Sequence, residues 1–148
     1  DEISLLLVDY NKFESQQWFD GIIQKMASVS ASVMGAEFST RWSKVGYFDS
    51  RVFTIPERDV ENYFVWRQQD AMRNAVSMVA QANFSSTELH GKCTAEMLIM
   101  LESKGIKYNE TPEWFRFGTI VTRDSINPAP QFNLQKSFLK QFLTVEEE

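Results

Sequence analysis

Asp1 and Glu2 are adjacent carboxylates leading into an apolar run, Ile3 to Val8. Acidic residues at a strand edge can hold a hard cation such as Mg²⁺, which prefers oxygen ligands and keeps waters for substrate phosphates. The same dipeptide also reads as a solvated strand end, and a two-metal site would need at least one further carboxylate. Lys25 falls on or beside the apolar stripe of a helical segment, where it either snorkels to water or reaches toward a triphosphate. Arg67, Asp70 and Asn74 stand at i, i+3 and i+7, with Ser77 one turn on, along the apolar face of the longest helical pattern. Buried charge is costly unless paired or used. The row therefore either staples the helix to its neighbours through an Arg67–Asp70 pair or lines a site for an anionic ligand. Arg51, Lys92 and Arg116 lie near predicted element ends, and each alone reads as a surface charge. His90 by itself is too little for a general base. No Ser-His-Asp or Cys-His arrangement and no Walker-type or dinucleotide glycine motif is present.

The elements that must position these groups follow from periodicity. Ile3–Val8 reads as a strand covered on both faces. A helical pattern runs from about Glu14 to Ala36 through Trp18, Ile22, Val29 and Val33. Its small Ala27, Ser28, Ser30, Ala31 and Ser32 permit close approach of another backbone, and Gly35 stands near its end. Phe38–Val45 reads as a polar, basic loop, and Tyr47–Ile55 as a second strand with Asp49 and Arg51 on one face. Pro56 opens the long helix, Glu57 to Asn83, whose expected apolar face is Val60, Phe64, Ala71, Ala75, Met78 and Ala82. Ser85-Ser86-Thr87-Glu88 has capping-box form. A helix over Thr94–Lys104 stops at Gly105, Pro112–Phe117 makes a helical turn, and Gly118–Arg123 alternates as a strand. Asn127–Pro130 is a linker-like break, followed by an amphipathic segment, Leu134–Leu143. The expected fold is α+β (α/β), an antiparallel sheet with long helices packed on one face. Residues 1–125 form the main domain, and 126–148 the linker and C-terminal helix.

Composition narrows the function classes. At 148 residues and 43% hydrophobic content the chain can bury one ordinary core. The 12 Phe and 4 Trp make its core or an interface aromatic-rich. No apolar run approaches a membrane span. The lone Cys93 suits a reducing cytoplasm, and a single Cys with a single His disfavours a zinc site. A net charge of −5 weighs against a generic nucleic-acid binder, though metal-binding carboxylates can make a phosphate-handling enzyme acidic. The acidic start opening directly on an apolar strand predicts a piece of a longer protein, incomplete at the N-terminus.

Five stretches together resemble the Thg1 family, the tRNA-His guanylyltransferases and their Thg1-like relatives. They are Asp1-Glu2-Ile3-Ser4; Phe48-Asp49-Ser50-Arg51-Val52-Phe53 with Pro56; Tyr63-Phe64-Val65-Trp66-Arg67-Gln68-Gln69-Asp70; Leu89-His90-Gly91-Lys92; and Arg116-Phe117-Gly118-Thr119. The resemblance implies a polymerase-palm-like (ferredoxin-like) domain that adds nucleotides in the 3′-to-5′ direction to the 5′ end of tRNA. ATP or GTP first activates a 5′-monophosphate, and the 3′-hydroxyl of an incoming nucleotide then attacks, with two Mg²⁺ ions in the site. On this resemblance Asp1 is a metal ligand and catalytic, and Glu2 is its acidic catalytic neighbour. Lys25, Arg67, Asp70 and Asn74 are nucleotide-binding, and Arg51, Lys92 and Arg116 are candidate RNA contacts. Partners are tRNA, ATP and GTP, in a homo-oligomer (a tetramer in the family), in the cytoplasm and without a membrane.

Two departures qualify the resemblance. Eukaryotic members continue the long helix as His-Ile-Asn-Asn-Leu-Tyr-Asn, whereas this chain has Met72-Arg73-Asn74-Ala75-Val76-Ser77-Met78 and keeps only Asn74. That is similar to the Thg1-like branch, which repairs 5′-truncated tRNA, and it puts strict tRNA-His specificity in question. The family's Asp-Gly-Arg motif with the first metal ligand is absent, so the chain alone is expected to be catalytically incomplete. The rival expectation is a non-catalytic RNA-binding or subunit-interface module of the same fold.

Overall fold

The long helical patterns of this sequence fold as helices, whereas its short apolar runs form a ladder only where a second strand lies beside them. The computed structural model describes residues 2–8, 14–121 and 126–128. The chain divides into two compact units between Ile55 and Pro56.

In the first unit a tight turn, Trp18–Gly21, precedes helix α1, Ile23–Trp42. The helix starts later than the expected Glu14 and continues through Gly35 into the stretch expected as a loop. Side-chain pairs one turn apart extend it: Arg41 bonds Glu37 at 3.0 Å, and Phe38 stacks on Trp42 with ring centroids 5.4 Å apart. It ends where Ser43 turns left-handed at φ 55°. The small residues of α1 accept another backbone, as their spacing predicts. A Cβ on Gly35 would lie 3.4 Å from the Gly46 carbonyl oxygen, and one on Gly46 would overlap the Phe38 ring. Ser39 Oγ donates to the Gly35 carbonyl (2.7 Å) and accepts from the Gly46 N–H (3.0 Å). Ser30 Oγ donates to Ser50 Oγ at 2.7 Å.

The expected strands 3–8 and 47–55 are corrected here. Both lie outside regular secondary structure, and no backbone hydrogen bond joins either to another segment among the described residues. Ile3, Leu5 and Leu7, expected to be covered, are exposed, as are Tyr47 and Phe53. An apolar run reports a tendency to be buried, but a strand exists only with a partner ladder for its N–H and C=O groups.

The second unit is built on helix α2, Glu57–Asn83, with the predicted bounds. Pro56 precedes it, and Glu57 and Asp59 sit in its first turn, where negative charge suits the helix dipole. Its buried residues are Val60, Gln68, Ala75, Val76 and Ala80. The expected face was therefore rotated: Ala71, Met78 and Ala82 are exposed, and the stripe follows i+4 steps through Gln68. Short helix α3, Ser86–Leu89, carries the predicted capping box, with Ser85 and Glu88 satisfying each other's backbone N–H. Helix α4, Thr94–Ser103, packs on α2, and Ala80, Leu89 and Leu101 form the core with Phe84 and Met97 against it. Lys104 donates to the Asn83 carbonyl at 2.6 Å and lies 3.9 Å over the Phe84 ring, closing the C-terminal end of α2 with a cation.

Helix α5, Glu113–Phe117, ends at Gly118, whose φ 87° and ψ −167° are essentially restricted to glycine. Strands β1, Thr119–Val121, and β2, Ile126–Pro128, then pair antiparallel with Ile120 opposite Asn127. The expected linker-like break at 127–130 thus begins inside a strand pairing. The amphipathic segment Leu134–Leu143 lies outside the described residues, as does Asp1.

Candidate functional site

Lys25 sits in the first turn of α1, which contains no acidic residue and has no side-chain cap at Ile22. A lysine at the positive end of a helix is electrostatically misplaced unless an anion answers it. The turn before it is left-handed: Phe19 at φ 51°, Asp20 at φ 53° and Gly21 at φ 71°. Left-handed backbone costs roughly 1–2 kcal/mol for each non-glycine residue. The turn brings the Phe19 ring to 4.9 Å from Lys25 Nζ, a cation–π contact that gives the exposed ammonium a fixed resting place.

On α2, Arg67 and Asp70 pair as their spacing implies, Nη2 to Oδ2 at 3.2 Å. Their side chains are 22% and 33% exposed. Arg73, which the sequence reading left out, joins them by donating to Asp70 Oδ1 at 2.8 Å, with its own side chain 60% exposed. One carboxylate thus organises two guanidiniums. Arg67 also lies 4.4 Å over the Trp66 ring. Asn74 is exposed, and Ser77 lies against Met97 with Oγ 4.0 Å from the sulfur. The i+3 spacing of Asp70 and Arg73 was the signal that could have added Arg73 to the row. Gln68, buried one residue beyond Arg67, had no such signal because glutamine is ordinarily a surface residue.

The remaining candidates make local contacts. Glu2 is exposed and accepts from Ser4 Oγ at 3.3 Å. Arg51 and Asp49, predicted to share a face, form an exposed pair at 3.5 Å. Lys92 pairs with Glu96 at 3.2 Å. Arg116 donates from Nε to the Thr111 carbonyl at 3.1 Å and packs over Phe117, holding the turn before α5. Among the described residues no group of three or more His, Cys, Asp or Glu side chains could hold a metal. A shallow groove between the small face of α1 and residues 46–48 has no charged lining and does not suit a triphosphate. No helix among the described residues is long and apolar enough to cross a membrane.

No family model matches the chain. A bacterial tRNA(His) guanylyltransferase (Thg1)-like protein, solved in complex with ATP, superposes with a TM-score of 0.85 and 35% identity over 94% of this chain and 66% of that one. The chain belongs to the Thg1 family, on its Thg1-like branch. A Thg1-like protein solved in complex with GTP matches with a TM-score of 0.73 and 30% identity over 94% of this chain and 64% of that one. Among curated relatives, the probable tRNA(His) guanylyltransferase of Drosophila melanogaster is 26% identical over 122 residues, covering 69% of this chain and 43% of that protein. The tRNA(His) guanylyltransferase of Saccharomyces cerevisiae is 25% identical over 146 residues, covering 83% and 60%. The chain therefore spans between two fifths and two thirds of the length of these Thg1 relatives.

Proposed function

We propose that the whole protein is a magnesium-dependent tRNA 5′-end nucleotidyltransferase, and that this chain supplies the larger part of its palm-like domain. It would add nucleotides in the 3′-to-5′ direction, by guanylylation or by repair of a 5′-truncated tRNA, as a cytoplasmic homo-oligomer. The reading is carried by one observation: 35% identity over 94% of the chain to a Thg1-like protein that holds ATP. The parallel match to a relative that holds GTP supports the second nucleotide.

Each step of such a reaction handles polyanions, so the protein must neutralise charge and hold phosphates still. Lys25, at the uncapped start of α1, suits a triphosphate oxygen. Arg67 and Arg73, fixed by Asp70, suit phosphodiesters. The loss of the family's His-Ile-Asn-Asn run on α2, where Met72 and Arg73 stand instead, favours repair over strict tRNA-His selection. Magnesium, when bound, supplies further charge neutralisation at the reacting phosphates, with Asp1 as its expected oxygen ligand and Glu2 as the acidic neighbour. The described residues do not by themselves form its ligand set.

The test is extension of a 5′-truncated tRNA by the whole protein given ATP, GTP and Mg²⁺. The expected result is stepwise growth at the 5′ end, abolished by Asp1→Ala without change in melting temperature. Unchanged extension by Asp1→Ala removes that residue from the site. A native protein that binds tRNA and extends nothing is a binding module instead.

A further inference from the structure

Three aromatic rings stand in a column at the end of α1. Phe38 lies between Phe48, met edgewise with centroids 5.6 Å apart at 64°, and Trp42, parallel within 4° at 5.4 Å. A Cβ on Gly46 would overlap the Phe38 ring, so the middle ring has no room to shift that way. Trp42 ends the column and is 66% exposed. Phe38 covers one face of the indole, which leaves the opposite face to water.

The charge beside that face is positive. From Glu37 to Phe48 the sequence holds Arg41 and Lys44 against Glu37 alone. Arg41 is paired with Glu37 at 3.0 Å. Asp49, the next carboxylate along the chain, is held by Arg51 at 3.5 Å. Lys44, exposed and two residues past Trp42, has an ammonium without an ion pair among the described residues. A cation just past a helix C-terminus suits the dipole by itself. An open ring beside it is something that such a cap does not need.

We infer that Trp42 and Lys44 form a contact for one unpaired RNA nucleotide, its base stacked on the open indole face and its phosphate taken by the ammonium. The inference rests on the proposed tRNA substrate and adds to it a contact on α1. A base laid on Trp42 extends a stack that Phe38 already holds in place, so little ordering is left to the moment of binding. Every base has a π-face and every linkage an anion, so the contact is blind to sequence. A base inside a duplex is covered on both faces by its neighbours and cannot lie on the ring.

The test is fluorescence anisotropy of this chain, across salt concentrations, with an RNA hairpin that ends in a short unpaired overhang. The control is the same hairpin whose overhang keeps its phosphates but lacks its bases. Trp42→Ala is expected to weaken binding of the first about tenfold and to leave the second unchanged. Trp42→Phe should retain most of the affinity. Trp42→Leu, which still covers Phe38 but offers no ring, should bind as weakly as Trp42→Ala. Lys44→Ala should weaken both and lower the salt slope by about one. Equal affinity of Trp42→Ala and the native chain for the first hairpin overturns the inference. A change in sedimentation mass for Trp42→Ala overturns it too, by assigning the ring to a second copy. A native chain that binds both hairpins equally defeats this inference only, whereas one that binds neither defeats the tRNA reading with it.

Discussion

Gln68 Nε2 donates to the carbonyl oxygen of Phe117 across 3.1 Å, joining the middle of α2 to the end of α5. Gln68 is only 6% exposed, so the bond is made out of water. It fixes the chain one residue before Gly118, whose backbone turns the segment into β1. Gln68→Leu keeps the volume and orphans that carbonyl, and a buried unpaired acceptor costs about 1–3 kcal/mol. The expected loss of that size would be read by urea denaturation; a neutral result would mean water replaces the bond.

Tyr108 makes the opposite prediction. Its phenol oxygen is buried without a hydrogen-bond partner among the described residues. Burial pushes the phenol above its ordinary pKa, against the pull of the Arg116 guanidinium. A hydroxyl that gains no bond on folding loses its water for nothing. Tyr108→Phe should therefore be neutral or stabilising, by up to about 1 kcal/mol. A clear drop in melting temperature would reveal a bond to that oxygen.

The capping glutamates set an acid limit. Glu88 is held below the ordinary carboxyl range by its bonds to Ser85, and Glu96 by its bonds to Cys93 and then Lys92. Both pKa values are lower in the folded state than in the unfolded chain. Their stabilisation is therefore fully present above the unfolded value, about pH 4.3, and is lost as pH falls through the folded values. Glu88→Gln and Glu96→Gln should each flatten the decline of melting temperature on the acid side. Ser85→Ala should cost about 1 kcal/mol at neutral pH. Identical acid profiles for the native chain and both glutamine variants would contradict the caps.

What the sequence disclosed follows from how local each signal is. The bounds of α2, the Ser85 box, the Gly105 stop and the Arg67–Asp70 pair are set within one or two turns, and all could be read. The strand expected at 3–8 is absent, because a nearly continuous apolar run says nothing of which segment supplies the ladder. The extension of α1 past Gly35 was hidden by a glycine that reads as a stop but here serves close packing against Gly46. The rotation of the α2 face came from Gln68, a polar residue whose burial depends on a carbonyl 49 positions away. At the candidate site the charged row was visible and its completion by Arg73 was not, since the reading followed the apolar stripe and not the partners of Asp70.

Lys25 carries the prediction closest to the chemistry. It stands in an α1 first turn without a carboxylate, over Phe19, after a strained left-handed turn. Its charge opposes the helix dipole, so its removal should leave melting temperature within a degree or two, as for surface substitutions generally. If it binds a triphosphate, Lys25→Ala deletes a charge-assisted bond of about 1.5–3 kcal/mol. ATP and GTP should then bind at least about tenfold more weakly by calorimetric titration. Lys25→Arg should recover part of that, because the charge returns with a different shape. Phe19→Leu should cost less than Lys25→Ala, since it only frees the ammonium to wander. Nucleotide affinity unchanged in Lys25→Ala would leave the lysine a solvated side chain and move the triphosphate elsewhere.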